Sequence, residues 1–217
     1  MPSPAIYRSV VVLLWALALN AALASRGLFW DGSSFLVNIL ELGTVHDFYG
    51  ARAHVDWVTQ LPVLALVELG QRDTRLLAIV YSASLFALPV ALYHAALARV
   101  RRDGVLLGIV IAVIAVVYLP TSFFIVGEYN ATYAAAVLAT AVTLTPGERR
   151  LGDAALLCLL GVLAVRSYET MLYVGPLLAG AIAGELIFAA RALAQERRLQ
   201  IALLAAGIGG IVIAYAA

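Results

Sequence analysis

Residues 9–25 read SVVVLLWALALNAALAS, and residues 29–34 then read FWDGSS. The first stretch is 17 residues long, about enough helix to cross ~30 Å of hydrocarbon. The second opens a polar segment and places the carboxylate of Asp31 just beyond that span. The order predicts a membrane helix followed by a loop on one face of the membrane. Arg8 and the small residues before Ser25 are also typical of a cleavable secretory signal, and this alternative stays open.

The composition of the whole chain predicts a membrane protein. Of its 217 residues, 64% are hydrophobic and 12% are charged, and the mean hydropathy is +0.98. A soluble core of this size cannot hide so much apolar surface. The net charge of +1 gives no basic surface for nucleic acid, so no nucleic-acid partner is expected. The single cysteine, Cys158, excludes an internal disulfide.

Further apolar runs predict an all-α, polytopic bundle of about seven spans that forms one transmembrane domain, 1–217. After the first span they lie at 76–98, 105–126, 131–145, 151–165, 170–190 and 199–217. The last run ends without a charged or aromatic-rich tail, so the alternative that the sequence is a fragment of a longer chain stays open.

The distribution of charge predicts the orientation. With a cytoplasmic N-terminus, nine of the fourteen arginines fall in inner segments and eight of the thirteen acids fall outside, as the positive-inside rule requires. The prediction is an integral membrane protein of the bacterial inner (plasma) membrane type.

The first outer loop, 26–74, is too polar to span the membrane but contains two helical patterns. Apolar residues from Phe35 to Leu42 give a short helix one apolar face. A second helix is predicted from residue 53 to residue 70. Amphipathic helices of this kind lie in the membrane interface.

Ionisable residues near the span ends collect on the predicted outer face. A charge so close to a span marks a cavity, a polar bundle interior or the interface. Arg166 and Glu169 are three residues apart, and two interpretations are open. They form a structural ion pair, or Arg166 binds a phosphate while Glu169 holds the arginine in its orientation. Glu128 is either a solvated loop acid or part of the same site. Together with Asp31 and Arg52 these are the candidate site residues.

Two histidines and two aspartates in the outer loop are weak candidates for a metal site. They are His46, Asp47, His54 and Asp56. Imidazole and carboxylate groups suit divalent metals, but the spacing matches no compact metal motif. A divalent metal stays an alternative, and no cofactor is assigned.

The order of these features resembles the amino-terminal module of the GT-C glycosyltransferases. It consists of one span, a long outer loop with an acid just after the membrane exit, two interfacial helices and a bundle of further spans. Those integral membrane enzymes transfer a sugar from a polyprenyl-phosphate carrier on the outer face. The resemblance implies that Asp31, in Trp30-Asp31-Gly32, is the catalytic general base for the acceptor hydroxyl.

The same resemblance implies roles for the other candidates and names the partners. Arg52 and Arg166 would bind the phosphate, whereas Glu128 and Glu169 would position sugar hydroxyls or the two arginines. The expected partners are membrane lipid and a polyprenyl-phosphate sugar donor.

Two other classes of protein fit the pattern. In a secondary transporter, helix breaks at Pro89, Pro120 and Pro176 would line a path, although this class predicts charges near mid-span and most charges here lie at span ends. A non-catalytic assembly subunit would pack against other membrane subunits through small residues such as Gly175 and Gly180.

Overall fold

The chain is all-helical wherever its structure is described, with no β-strand among those residues, in agreement with the predicted fold class. The computed structural model describes residues 4–46, 52–124, 127–145, 151–165, 167–171, 173–177 and 180. The helices are α1 (Pro4–Leu23), α2 (Gly32–Leu42), α3 (Ala53–Glu68), α4 (Thr74–Val100), α5 (Gly104–Val113), α6 (Leu119–Phe124), α7 (Glu128–Leu144) and α8 (Leu151–Val165), with a 3-10 helix at Arg26–Leu28 and a π-helical turn at Ile114–Tyr118.

Three helices are long and apolar enough, by length and composition, to cross a membrane. They are Pro4–Leu23, Thr74–Val100 and Gly104–Phe123, the last of which runs through α5, the π-helical turn and α6. These helices coincide with the first three predicted spans.

Two further predicted spans coincide with shorter helices. α7 has 17 residues and α8 has 15, so they overlap the predicted spans 131–145 and 151–165. The predicted span 199–217 lies outside the described residues, as does most of 170–190.

The ends of the helices follow from local side-chain chemistry. Asp73 caps α4 by accepting hydrogen bonds from the backbone N–H groups of Arg75 and Leu76, at 2.9 and 3.4 Å. Asp103 caps α5 in the same manner. These caps use N–H groups that have no partner inside the first turn of a helix. Gly43, at φ 64°, ends α2 in the left-handed conformation that glycine tolerates.

Pro120 lies two residues after the π-helical turn. Proline has no N–H to donate to the carbonyl of Val116, so the regular ladder of hydrogen bonds is interrupted there. The Thr121 hydroxyl donates instead to the carbonyl of Val117 at 2.6 Å. By contrast, α4 continues through the buried Pro89 without a break, which removes one of the helix breaks that the transporter hypothesis invoked.

The central helix is α4, and two apolar clusters lie along it. The C-terminal half packs against α1, α5, α7 and α8 around Leu14, Tyr93, Leu97, Leu107 and Leu138. The N-terminal half packs against α2 and α3 around Phe35, Ile39, Val63, Leu77 and Tyr81. The two helices predicted in the outer loop are therefore present, and the apolar face of α2 packs inside the protein rather than on lipid.

The segment that leads from α1 to α2 is held tightly against α4. The backbone N–H of Gly27 donates to the hydroxyl of Ser82 at 3.0 Å, and a Cβ on Gly27 would lie 2.7 Å from the Ser82 Cα. A Cβ on Gly32 would lie 1.8 Å from the carbonyl oxygen of Gly27. Gly32 thus permits a close backbone approach, which the sequence alone did not indicate.

We expect Gly32→Ala to destabilise the fold by about 1–3 kcal/mol, because the added methyl group forces the Gly27 carbonyl away and loosens the contact with α4. The matched control is Gly108→Ala, since a Cβ on that helical glycine meets nothing within 4 Å. The control should be neutral or stabilising. Unfolding of both purified variants in a denaturing-detergent titration measures the difference, and equal midpoints would contradict the close-approach explanation.

Candidate functional site

A cavity of about 220 Å³ lies at the end of the bundle where α1 and α8 finish and where α3, α4 and α7 begin. Five separate parts of the chain line it. Its polar and aromatic side chains are Phe29, Trp30, Asp31, Phe35, Arg52, Asp56, Tyr81, Glu128, Tyr129 and Tyr168. Asp31, Arg52 and Glu128 are candidate site residues from the sequence and Asp56 is a weak metal candidate, and the structure brings these four to one cavity.

Arg52 links two of the candidate acids. Its Nη2 lies 3.1 Å from Oε1 of Glu169, and its Nε donates to the same oxygen at 3.2 Å. On the other side, its Nη1 lies 3.8 Å from Oε2 of Glu128. The guanidinium carbon also lies 5.2 Å from the centre of the Tyr168 ring, within the range of a cation–π contact. Arg52 is therefore oriented from three directions.

Asp56 and Glu128 bring two carboxyl groups together in a buried place. Only 3% of Asp56 and 8% of Glu128 is exposed, and the two side chains are hydrogen-bonded to each other. Burial, reinforced by the charge of Glu128, raises the pKa of Asp56 to about 8 despite the opposing effects of Arg52 and Gln60. Because two touching carboxylates repel strongly, the pair holds a proton at neutral pH.

Asp31 differs from that pair because it is exposed and lies at the mouth of the cavity. It precedes α2, and its side chain makes no capping hydrogen bond to that helix. Trp30 next to it has φ 61°, a strained conformation for a bulky residue. Its indole lines the cavity although the residue is 67% exposed. Asp31 is thus the cavity acid most accessible to a substrate from solution.

The three weak metal candidates that the structure describes, His46, His54 and Asp56, do not form a metal-binding group. The backbone N–H of His46 donates to Gln60, and its ring stacks on Phe35 at 4.6 Å between centres. The ring of His54 donates instead to the backbone carbonyl of Val162 in α8. Among the residues that the structure describes, no group of three or more histidine, cysteine or acidic side chains is placed to hold a metal ion.

Two predicted residues, Asp47 and Arg166, lie outside the described residues. Glu169 contacts Arg52, which precedes α3; the predicted pairing of Glu169 with Arg166 lies outside the described residues. The pairing rule for residues three apart considers one helix only, so it does not predict the contact with Arg52.

The cavity tyrosines were not predicted as site residues. Tyr81 comes from α4, Tyr129 from α7 and Tyr168 from the turn after α8. The sequence does carry a weak signal for Tyr81, because Ser82 and Ser84 follow it within an otherwise apolar span. Polar side chains inside a span commonly face a protein interior.

Comparison of the sequence with protein-family models, with curated proteins and with solved structures finds no match. The functional argument therefore rests on the geometry of the cavity and on its chemistry.

We expect Arg52→Gln to destabilise the protein by roughly 1–3 kcal/mol, because it leaves buried Glu128 without its cation. Arg52→Lys should be intermediate, since one ammonium cannot reproduce the guanidinium fork. Arg75→Gln, at an exposed arginine early in α4, is the control and should change stability by less than about 0.5 kcal/mol. All three variants are unfolded in the same denaturing-detergent titration. Equal midpoints for Arg52→Gln and Arg75→Gln would show that the contacts of Arg52 with Glu128 and Glu169 do not stabilise the protein.

Proposed function

We propose that the protein is a glycosyltransferase, or a module of one, that transfers a sugar from a polyprenyl-phosphate carrier to an acceptor hydroxyl at a membrane surface. One observation carries the proposal: Asp31, Arg52 and Glu128 are far apart in the sequence and line a single cavity beside apolar helices. An accessible acid, an oriented cation and an apolar surface are the three parts that this reaction needs.

In the proposed reaction Asp31 is the general base. It accepts the proton of the acceptor hydroxyl while the acceptor oxygen forms a bond to the anomeric carbon of the sugar. The bond from that carbon to the phosphate oxygen breaks, and polyprenyl phosphate leaves with the electron pair. The exposure of Asp31 at the cavity mouth supports this role, because the acceptor must reach the carboxylate from outside.

In this proposal the role of Arg52 differs from that of an unpaired arginine that binds phosphate. Its charge is already shared with Glu128 and Glu169, so it attracts a leaving phosphate more weakly than an unpaired arginine does, but with a fixed direction. Arg166 remains the second proposed phosphate ligand. Glu128 and Glu169 are the residues that position Arg52.

The size and lining of the cavity favour a small hydroxylated group. Its volume of about 220 Å³ is below the ~300–1,000 Å³ of sites for drug-sized ligands. Tyr129 and Tyr168, both half-buried, offer hydroxyls and ring faces to a sugar. The polyprenyl tail then lies outside the cavity, along the apolar helices.

The proposal includes the orientation of the chain in its membrane. Seven spans with a cytoplasmic N-terminus in a bacterial inner membrane put the cavity on the outer face. The arginines at 99–102 and Arg8 lie at the opposite end of α4 and α1, where the positive-inside rule expects them.

We expect Asp31→Asn to lower transfer from a polyprenyl-phosphate sugar by about 10²–10⁴-fold, since an amide cannot accept the proton. The matched control is Asp73→Asn, the same exchange at the exposed cap of α4, where asparagine also caps well. Turnover is measured as radiolabelled sugar released from the lipid carrier. Equal activity of the two variants would refute the assignment of Asp31 as base.

Cysteine labelling tests the orientation. In a chain with Cys158 replaced by serine, Ser33→Cys should react with a membrane-impermeant maleimide added outside intact cells, because Ser33 is exposed next to Asp31. Arg102→Cys, exposed at the other end of α4, should react only after the cells are opened. The reverse pattern would invert the proposed topology.

A further inference from the structure

We propose that Asp56 is a protonated hydrogen-bond donor that fixes Glu128 and, through Glu128, positions Arg52 in the cavity. The inference rests on the proposed function only in that it concerns the same cavity. It makes Asp56 a positioning residue, in place of the weak metal ligand suggested by its sequence neighbourhood.

The burial and the contacts of Asp56 and Glu128 indicate which of the two carboxyl groups holds the proton. Asp56 and Glu128 are buried and hydrogen-bonded to each other, and one of the two groups must supply a hydrogen for that bond. Glu128 has a cation partner, because one of its oxygens lies 3.8 Å from the Arg52 guanidinium, whereas no salt bridge within 4 Å to Asp56 is present among the described residues. The proton therefore belongs on Asp56, whose exposed fraction of 3% makes ionisation the more costly there.

The other groups packed around the pair do not change this assignment. Gln60, one helical turn beyond Asp56, and Arg52 oppose this assignment by lowering the pKa of Asp56, but burial and the charge of Glu128 outweigh them. Tyr81 of α4 is a buried neutral hydroxyl. Asp31 lines the same cavity, and Glu169 neutralises the far side of Arg52. With two carboxylates already against Arg52 and Asp31 lining the same cavity, a neutral Asp56 limits the negative charge there.

The consequence is a site that changes with alkaline pH. Loss of the proton puts two negative charges in contact, which disrupts their hydrogen bond and pushes Glu128 away from Asp56. Arg52 then loses a fixed partner on one side. The high pKa of Asp56, about 8, places this change just above neutral pH.

The sign of the effect on stability follows from linkage. The unfolded chain releases the Asp56 proton near the ordinary pKa of about 3.9, whereas the folded chain keeps it up to about pH 8. The stabilisation that the Asp56 proton gives the folded chain is fully present at acid pH. It declines as the pH rises from about 3.9 to about 8 and does not change further above pH 8.

The first experiment is infrared spectroscopy of the purified full chain in detergent. A band from a protonated carboxyl group should be present at neutral pH and disappear as the pH rises through about 8. Asp56→Asn should remove the band, and Asp73→Asn should retain it. A band that survives in Asp56→Asn overturns the proposal. No sugar donor is used, so this result is independent of whether the protein transfers a sugar.

Thermal unfolding gives a second measurement. The melting temperature of Asp56→Asn minus that of the wild type should grow as the pH rises from 5 to 8 and then stay constant, because asparagine keeps the donor and has no proton to lose. A purely structural role predicts a difference that does not vary with pH, which would overturn the proposal.

Glu128→Gln serves as the partner variant and covers the case in which Asp56→Asn fails to fold. It retains a polar partner for Asp56 and removes the neighbouring charge. The midpoint at which the carboxyl band disappears should fall by about one pH unit or more. An unchanged midpoint would show that Glu128 does not influence the proton on Asp56.

Discussion

The contact of Arg52 with two glutamates connects parts of the chain that no local rule brings together. Arg52 precedes α3, Glu128 begins α7 and Glu169 follows α8. An acid as buried as Glu128 is stable only with a compensating cation or proton. The position of α3 against α7 is thus constrained by charge as well as by apolar packing. Without that constraint the cavity would have neither its shape nor its balance of charges.

Much of the fold could be predicted because it depends on local properties. The apolar runs predicted the three helices that are long enough to cross a membrane, and they also predicted α7 and α8. The helical spacing of apolar residues predicted α2 and α3 inside the outer loop. The close approach at Gly32 could not be predicted in this way. It depends on the distance between two backbone segments, and a glycine in a sequence is equally compatible with flexibility.

The candidate site was predictable at the level of its location. Charges at the ends of spans are costly to leave in lipid, so Asp31, Arg52, Glu128 and Glu169 are expected on one side. The structure brings Asp31, Arg52 and Glu128 to one cavity, and Glu169 contacts Arg52. That contact was not predictable, because Arg52 and Glu169 are 117 positions apart in the chain. The joint burial of Asp56 and Glu128, 72 positions apart in the chain, is a property of the assembled helices alone.

The π-helical turn at Ile114–Tyr118 determines which way the side chains after it face. Such a turn accommodates one residue more than a regular helix needs, so it shifts the angular register of everything after it by about 100°. Phe123, whose ring lies 5.0 Å from the guanidinium carbon of Arg26, owes its direction to that shift. A one-residue deletion within the turn would leave a longer regular helix but turn its last segment away from the α1–α2 connection.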